Sequence, residues 1–112
     1  MKITILTLFP EMFDGFINTS IIKRALAKES VEIEIINIRD FTKDKYGRVD
    51  SAPIGGGAGL IMKCQPILDA LKSVKSISSH TILMSPIGRT FNQKIAHEFA
   101  ALDHLIIICG HY

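Results

Sequence analysis

Residues 51 to 63 read SAPIGGGAGLIMK, which places Gly55, Gly56, Gly57 and Gly59 within five positions. Glycine loses more backbone freedom on folding than any other residue, so this concentration is costly unless the local geometry requires it. A stretch without side chains exposes its backbone N–H groups and lets a flat ligand, such as a nucleobase, lie against the main chain. The composition leaves two interpretations open, a functional ligand-binding loop and a plain tight turn.

The glycine stretch matches neither of the two best-known phosphate-binding motifs. A P-loop requires Gly-Lys-Ser/Thr, whereas Lys63 follows three apolar residues. The dinucleotide-binding fingerprint fails as well, because the sixth position counted from Gly55 is Leu60 and no clear strand precedes it. A phosphate cradle of either kind is therefore not predicted here.

Two further turns follow apolar runs. Ser85-Pro86-Ile87-Gly88 comes after the run 81–84, and Gly110-His111-Tyr112 comes after the run 105–109. In open α/β sheets, ligands bind beyond the carboxyl ends of the strands. If both runs are parallel strands, their ends share one edge of the sheet, and the two turns can converge there.

The charged residues offer weaker candidates. Lys43, Lys45 and Arg48 could contact phosphate groups, and the alternative is that they belong to a solvated surface patch. No Ser-His-Asp or Cys-His arrangement can be assembled. The remaining acidic residues and histidines are predicted to lie at the surface: Asp40, Asp44, Asp50, His80, His97 and His104.

The elements that must position these segments alternate between strands and helices. Apolar runs or period-two alternation predict strands over 3–8, 31–38, 81–84 and 105–109. Helical spacing predicts helices over 10–17, 21–26, 66–74 and 92–102, with Ser20 and Asn92 as N-caps, and residues 39–50 are predicted to form a surface loop. The pattern predicts an α/β fold with a mainly parallel sheet and flanking helices.

Composition fits one small soluble domain. The chain has 112 residues, of which 47% are hydrophobic and 21% charged, and its formal net charge is +2, which permits nucleic-acid binding without indicating it. The apolar runs are too short to span a membrane, and no signal peptide is evident, so a cytoplasmic protein is predicted. Cys64 and Cys109 lack metal-ligand spacing and are predicted to be buried free thiols.

Taken together, five motifs resemble a known family. The segments LTLFPEMF, RDFTKDKYGRVD, PIGGGAGLIMK, LMSPIGRTFNQ and IIICGHY stand in the order and spacing of the bacterial tRNA (guanine-N1)-methyltransferases. The resemblance covers the whole chain. These enzymes methylate the guanine just 3′ of the tRNA anticodon and belong to the SPOUT superfamily, so the resemblance implies an α/β domain that ends in a trefoil knot.

The resemblance also implies a mechanism. S-adenosylmethionine lies bent in the knot, held mostly by backbone groups, and an aspartate removes the proton from guanine N1, which then attacks the methyl group. The cationic sulfonium needs no metal to become a leaving group, so catalysis is mainly positioning plus one general base. The active site is shared across a homodimer.

Matching positions carry the family's binding roles to this chain. The cofactor loops are implied at Leu83, Met84, Ser85, Pro86, Gly88, Gly110 and Tyr112. The glycine-rich loop near the cofactor and target base is implied at Pro53, Gly55, Gly56, Gly57 and Gly59. No metal site is implied.

Three residues depart from the family pattern. Ile54 stands where tyrosine is usual and Leu60 where methionine is usual, so any aromatic stacking at position 54 is lost. His111 stands where arginine is common, which removes a permanent charge.

Several parts of the family pattern are expected beyond Tyr112: the third cofactor loop, the knot-completing segment, the catalytic aspartate and arginine, and the helical tRNA-binding C-terminal domain. Residues 1–112 are therefore expected to be the N-terminal part of a methyltransferase domain, inactive alone. The alternatives are a non-catalytic α/β module that binds a nucleotide or RNA, and a half-domain that only dimerises.

Overall fold

The structure, a computed structural model, describes residues 1–51, 61–85 and 87–110. Its strands are β1 (Lys2–Thr7), β2 (Glu32–Asn37), β3 (Asp50–Ser51), β4 (Ile61–Met62), β5 (Ser79–Leu83) and β6 (His104–Cys109). Its α-helices are α1 (Asp14–Ile17), α2 (Ser20–Ala27), α3 (Cys64–Val74) and α4 (Gln93–Ala100), and two 3₁₀ helices span Pro10–Phe13 and Ile38–Phe41.

Four strands form a parallel sheet in the order β2-β1-β6-β5, which confirms the predicted α/β class with a mainly parallel sheet. The apolar run of β6 lies between β1 and β5, the interior position that a continuous apolar run predicts. β3 and β4 pair antiparallel in a separate two-stranded sheet that the sequence did not predict.

Side chains of alternate strand positions face two different helices. On one face, Leu6, Ile106 and Ile108 pack with Ala70 of α3 and with Ile38. On the other face, Ile82 and Ile107 face Phe99 of α4 across an open groove. The main core therefore lies between the sheet and α3.

Several local predictions are corrected. Thr19, not Ser20, precedes α2 as its N-cap residue, and Ser20 is the first helical residue with a φ of 52°. The predicted helix over 10–17 is a 3₁₀ turn followed by the single turn of α1. Residues 39–50 are not wholly a surface loop, because Val49 is 1% exposed and belongs to the core.

Of the described helices, none is long and apolar enough to cross a membrane.

Candidate functional site

The two predicted cofactor turns start from adjacent strands. β5 and β6 are parallel neighbours with Leu83 opposite Ile108, and the Met84 N–H donates to the Ile108 carbonyl at 3.1 Å. β5 and β6 therefore end at the same edge of the sheet, side by side. Gly110 follows β6 directly and is half-buried. The structure thus brings Met84 and Gly110 to one edge, as the strand alternation predicts.

The first turn is open to solvent and is shaped by its own groups. Ser85 Oγ accepts a hydrogen bond from the Ile87 N–H at 3.2 Å. Gly88 has a φ of +123°, which L-residues rarely adopt, and the space where its Cβ would lie is empty. Only glycine adopts this conformation without strain, and its bare backbone leaves room for a ligand. Pro86 lies outside the described residues.

Apolar side chains are exposed around this turn. Leu83 is 63% exposed, Met84 51% and Ile87 83%. Exposed apolar clusters in soluble proteins commonly mark ligand or partner sites. These side chains offer the surface that a flat, partly apolar ligand needs.

The second turn begins where β6 ends beside β1. Cys109 pairs with Thr7, and Thr7 Oγ1 accepts a hydrogen bond from the Phe9 N–H at 3.1 Å. Burial raises the pKa of the Cys109 thiol, so this thiol is a poor nucleophile at neutral pH. His111 and Tyr112 lie outside the described residues.

The predicted glycine-loop residues lie outside the described residues as well: Pro53, Gly55, Gly56, Gly57 and Gly59. The structure does describe what flanks them. Asp50 pairs with Met62 across the β3–β4 ladder, and the Lys63 N–H donates to the Val49 carbonyl at 2.6 Å. Because Val49 is buried, the residues that flank the glycine segment meet next to the core.

The residues that follow the first turn were not predicted as part of the site. Arg89 and Phe91 line a groove of about 920 Å³ between α4 and the β5–β6 side of the sheet. Phe91 is 67% exposed, and its ring stacks on Phe99 at a centroid distance of 6.2 Å. Their position in the sequence indicates such a role, because Gly88-Arg89-Thr90-Phe91 directly connects the Ser-Pro turn to the helix cap Asn92. Asn92 was predicted, and its Oδ1 accepts the Ile95 N–H at 3.0 Å.

Three predictions for the other polar residues are wrong. His104 is buried rather than at the surface, with its Nε2 2.8 Å from Thr4 Oγ1. Asp44 is held in a network instead of being merely solvated, because its carboxylate accepts the backbone N–H groups of Tyr46 and Arg48. Cys64 is exposed, whereas a buried thiol was expected.

Among the described residues, no group of three or more His, Cys, Asp or Glu side chains could hold a metal ion.

The family described as tRNA (Guanine-1)-methyltransferase TrmD matches residues 1–112. A tRNA (guanine-N(1)-)-methyltransferase of Malacoplasma penetrans is 53% identical over all 112 residues, which cover 50% of that relative. One from Carboxydothermus hydrogenoformans is 54% identical over the same span, 44% of its length.

The chain thus spans about half the length of the curated relatives it matches. The match runs through both turns at the carboxyl edge of the sheet and through the glycine segment. The sequence resemblance, the parallel α/β sheet and these alignments agree, and the chain belongs to the tRNA (guanine-1)-methyltransferase family.

Proposed function

We propose that the full-length protein methylates N1 of a guanine in tRNA, just 3′ of the anticodon, with S-adenosylmethionine as the methyl donor. The observation that carries the proposal is the family match over all 112 residues. Residues 1–112 then form the first part of the methyltransferase domain. None of them is proposed as the general base.

The described residues at the carboxyl edge fit S-adenosylmethionine. The exposed Leu83, Met84 and Ile87 suit the apolar faces of an adenine ring. The open space beside Gly88 allows a ligand to lie against the main chain. The proposed cofactor-binding set is Leu83, Met84, Ser85, Pro86, Gly88, Gly110 and Tyr112.

Bound S-adenosylmethionine supplies an electrophilic methyl group on a sulfonium that leaves as a neutral thioether. The residues of this chain therefore act by orientation, and holding two reactants in line accounts for a large part of such a barrier. Pro53, Gly55, Gly56, Gly57 and Gly59 are proposed to lie against the target base. The hydrogen bond from the Lys63 N–H to the Val49 carbonyl holds the residues that flank this segment next to the core.

The proposal extends to a cytoplasmic homodimer whose two chains share each active site. Family membership supports both statements. The exposed Met12 and Phe16, at 76% and 51%, offer apolar surface on the described chain that a second subunit could cover.

Methyl transfer by the purified full-length protein tests the proposal. We expect labelled S-adenosylmethionine to transfer its methyl group to an unmodified tRNA transcript, and not to a transcript with adenine at the target position. Absence of transfer to the guanine transcript would overturn the proposal. Binding of cofactor or tRNA without transfer would instead favour a non-catalytic binding module.

A pair of glycine variants tests the cofactor turn itself. Both Gly88 and Gly15 have empty space at the Cβ position, but only Gly88 has a positive φ. Gly88→Ala is expected to distort the turn and weaken S-adenosylmethionine binding about tenfold or more, measured by calorimetry. Gly15→Ala, within a helix, is the matched control and should leave the affinity unchanged. Equal affinities for both variants would show that the turn does not bind the cofactor.

A further inference from the structure

The segment from Thr42 to Arg48, here called the basic loop, has no role in the proposed methyl transfer. It follows β2 and the 3₁₀ helix Ile38–Phe41, so it leaves the sheet at the same edge as the two cofactor turns. The loop carries three cations, Lys43, Lys45 and Arg48, against the single carboxylate of Asp44.

An exposed aromatic ring lies among these cations. Tyr46 is 70% exposed. Lys45 Nζ lies 4.9 Å from the centroid of its ring and Arg48 Cζ lies 5.2 Å from it. Both distances are within the range of cation–π attraction. The ring and the two positive charges therefore form one surface feature, and Tyr46 as a whole remains largely exposed.

The loop is held in one shape by its own hydrogen bonds. Asp44 Oδ2 accepts the Tyr46 N–H at 2.9 Å, the Arg48 N–H at 3.2 Å and Arg48 Nε at 3.3 Å. The pKa of Asp44 lies below its ordinary range, chiefly because the carboxylate accepts the hydrogen bond from the Arg48 backbone. The carboxylate is therefore charged at neutral pH. Arg39 donates to the Gly47 carbonyl at 2.7 Å, where the positive φ of Gly47 closes the turn.

Both ends of the loop are tied to the core. Gln65 of α3 donates to the Phe41 carbonyl at 2.6 Å and accepts the Lys43 N–H at 3.3 Å. Val49, directly after the loop, is buried. A loop that is already ordered loses little conformational entropy when it binds, which favours a binding role.

A stacking ring beside positive charges suits single-stranded RNA. Unpaired bases stack on exposed aromatic side chains, and neighbouring cations pair with the backbone phosphates. An acidic protein segment would use the same charges but would have no specific use for the ring. The structural features of the loop therefore favour RNA over an acidic peptide.

We propose that Tyr46 stacks on an unpaired nucleotide of the bound RNA while Lys45 and Arg48 pair with its phosphates. The identity of that RNA as tRNA rests on the proposed function. The basic loop then contributes to RNA affinity from the β2 side of the sheet. Three strand spacings separate β2 from β5, about 14 Å, so this contact is distinct from the cofactor turns.

The test uses the full-length protein with Tyr46→Ala, Tyr46→Phe and Lys45→Ala. Removal of the ring is expected to weaken tRNA binding about tenfold, since stacking on one base contributes about 1–3 kcal/mol. Tyr46→Phe keeps the ring and should bind within about twofold of wild type. Lys45→Ala should lower the slope of log affinity against log salt by about 0.7–0.9. Lys75→Ala, an exposed lysine after α3, is the control for general charge loss.

Separate readouts distinguish this inference from the proposed function. S-adenosylmethionine affinity should be the same in all variants, which also shows that they fold. If wild type methylates tRNA and Tyr46→Ala binds tRNA as tightly as wild type does, the inference is wrong while the function stands. If wild type transfers no methyl group but Tyr46→Ala still loses affinity for a single-stranded RNA oligonucleotide, the function is wrong and the loop's role stands. Binding of an acidic peptide in place of RNA would also overturn the inference.

Discussion

The two faces of the parallel sheet differ in how completely they are covered. On the α3 face, Leu6, Ile106 and Ala70 have no exposed surface. On the α4 side, Phe91 remains 67% exposed beside an open groove. The same strands supply apolar residues to both faces, so the difference comes from the helices. α3 has 11 residues and continues the packing of Ile38, whereas α4 has only 8.

This difference indicates that one face contributes mainly to stability and the other to ligand binding. A closely packed face contributes most of the free energy of folding, because burial of apolar surface dominates stability. The α4 side can then leave apolar side chains uncovered and available to a ligand. Regions of low local stability are commonly the ones that bind ligands. Met84, Ser85 and Gly88 of the first turn proposed to bind the cofactor line the groove on this open side.

Truncation of a core residue on the α3 face should have the largest effect. Leu6→Ala leaves a cavity among Ile38, Ile106 and Ala70, and we expect the free energy of unfolding to fall by about 2–5 kcal/mol. Urea denaturation of the full-length protein measures this loss. Leu83→Ala removes the same side chain from an exposed position at the end of β5 and should cost less than about 0.5 kcal/mol. Similar losses for both variants would show that the buried position contributes no more to stability than the exposed one.

Loss of the α4 cap should have an intermediate effect. Asn92→Ala removes the acceptor for the Ile95 N–H, and N-cap removal typically costs about 1 kcal/mol. Asn92→Ser retains a capping oxygen and should recover most of the loss, while Gln93→Ala tests the neighbouring exposed position. If α4 is held mainly by packing and not by its cap, thermal denaturation will show no difference between Asn92→Ala and Asn92→Ser.

The smallest effect is expected in the basic loop and depends on pH. The folded-state pKa of Asp44 is lowered, chiefly by its hydrogen bond from the Arg48 backbone. The contribution of the Asp44 carboxylate to the free energy of unfolding is therefore fully present above its unfolded-state pKa of about 3.9. This contribution is lost as the pH falls through the lower folded-state pKa. The Tyr46 and Arg48 amide resonances should follow this titration in NMR spectra.

Asp44→Asn provides the comparison for that titration. The variant should show the low-pH amide positions at neutral pH, because its side chain carries no charge at any pH. Asp40→Asn, at an exposed neighbouring position, should leave the titration intact. Amide resonances that do not respond to Asp44→Asn would show that the carboxylate does not order the loop.

Regular elements with strong periodicity were predictable from the sequence. The run 105–109 identified β6 as an interior strand because five consecutive apolar residues fit a strand covered on both faces. Asn92 was recognised because a short polar residue before a helical pattern caps the helix. That β5 and β6 end at the same edge of the sheet followed from their prediction as parallel strands.

The parts that were missed depend on contacts between residues distant in sequence. The start of β5 at Ser79 has no apolar signal, and its strand conformation comes from pairing with His104. Val49 is a single apolar residue in a charged stretch, and only the fold shows that it reaches the core. The buried His104 likewise needed its partner Thr4, 100 residues away in sequence.

The position of β1 between β2 and β6 has a consequence for synthesis on the ribosome. β2 emerges soon after β1, but the other neighbour of β1 is the last strand described, and Ile106 and Ile108 complete the core. At typical translation rates, roughly 4–14 s separate β2 from β6. During that interval one edge of β1 has no partner. The nascent chain must therefore wait for a long-range contact before it can fold, which makes chaperone engagement during translation more important for this protein than for a domain built from local contacts.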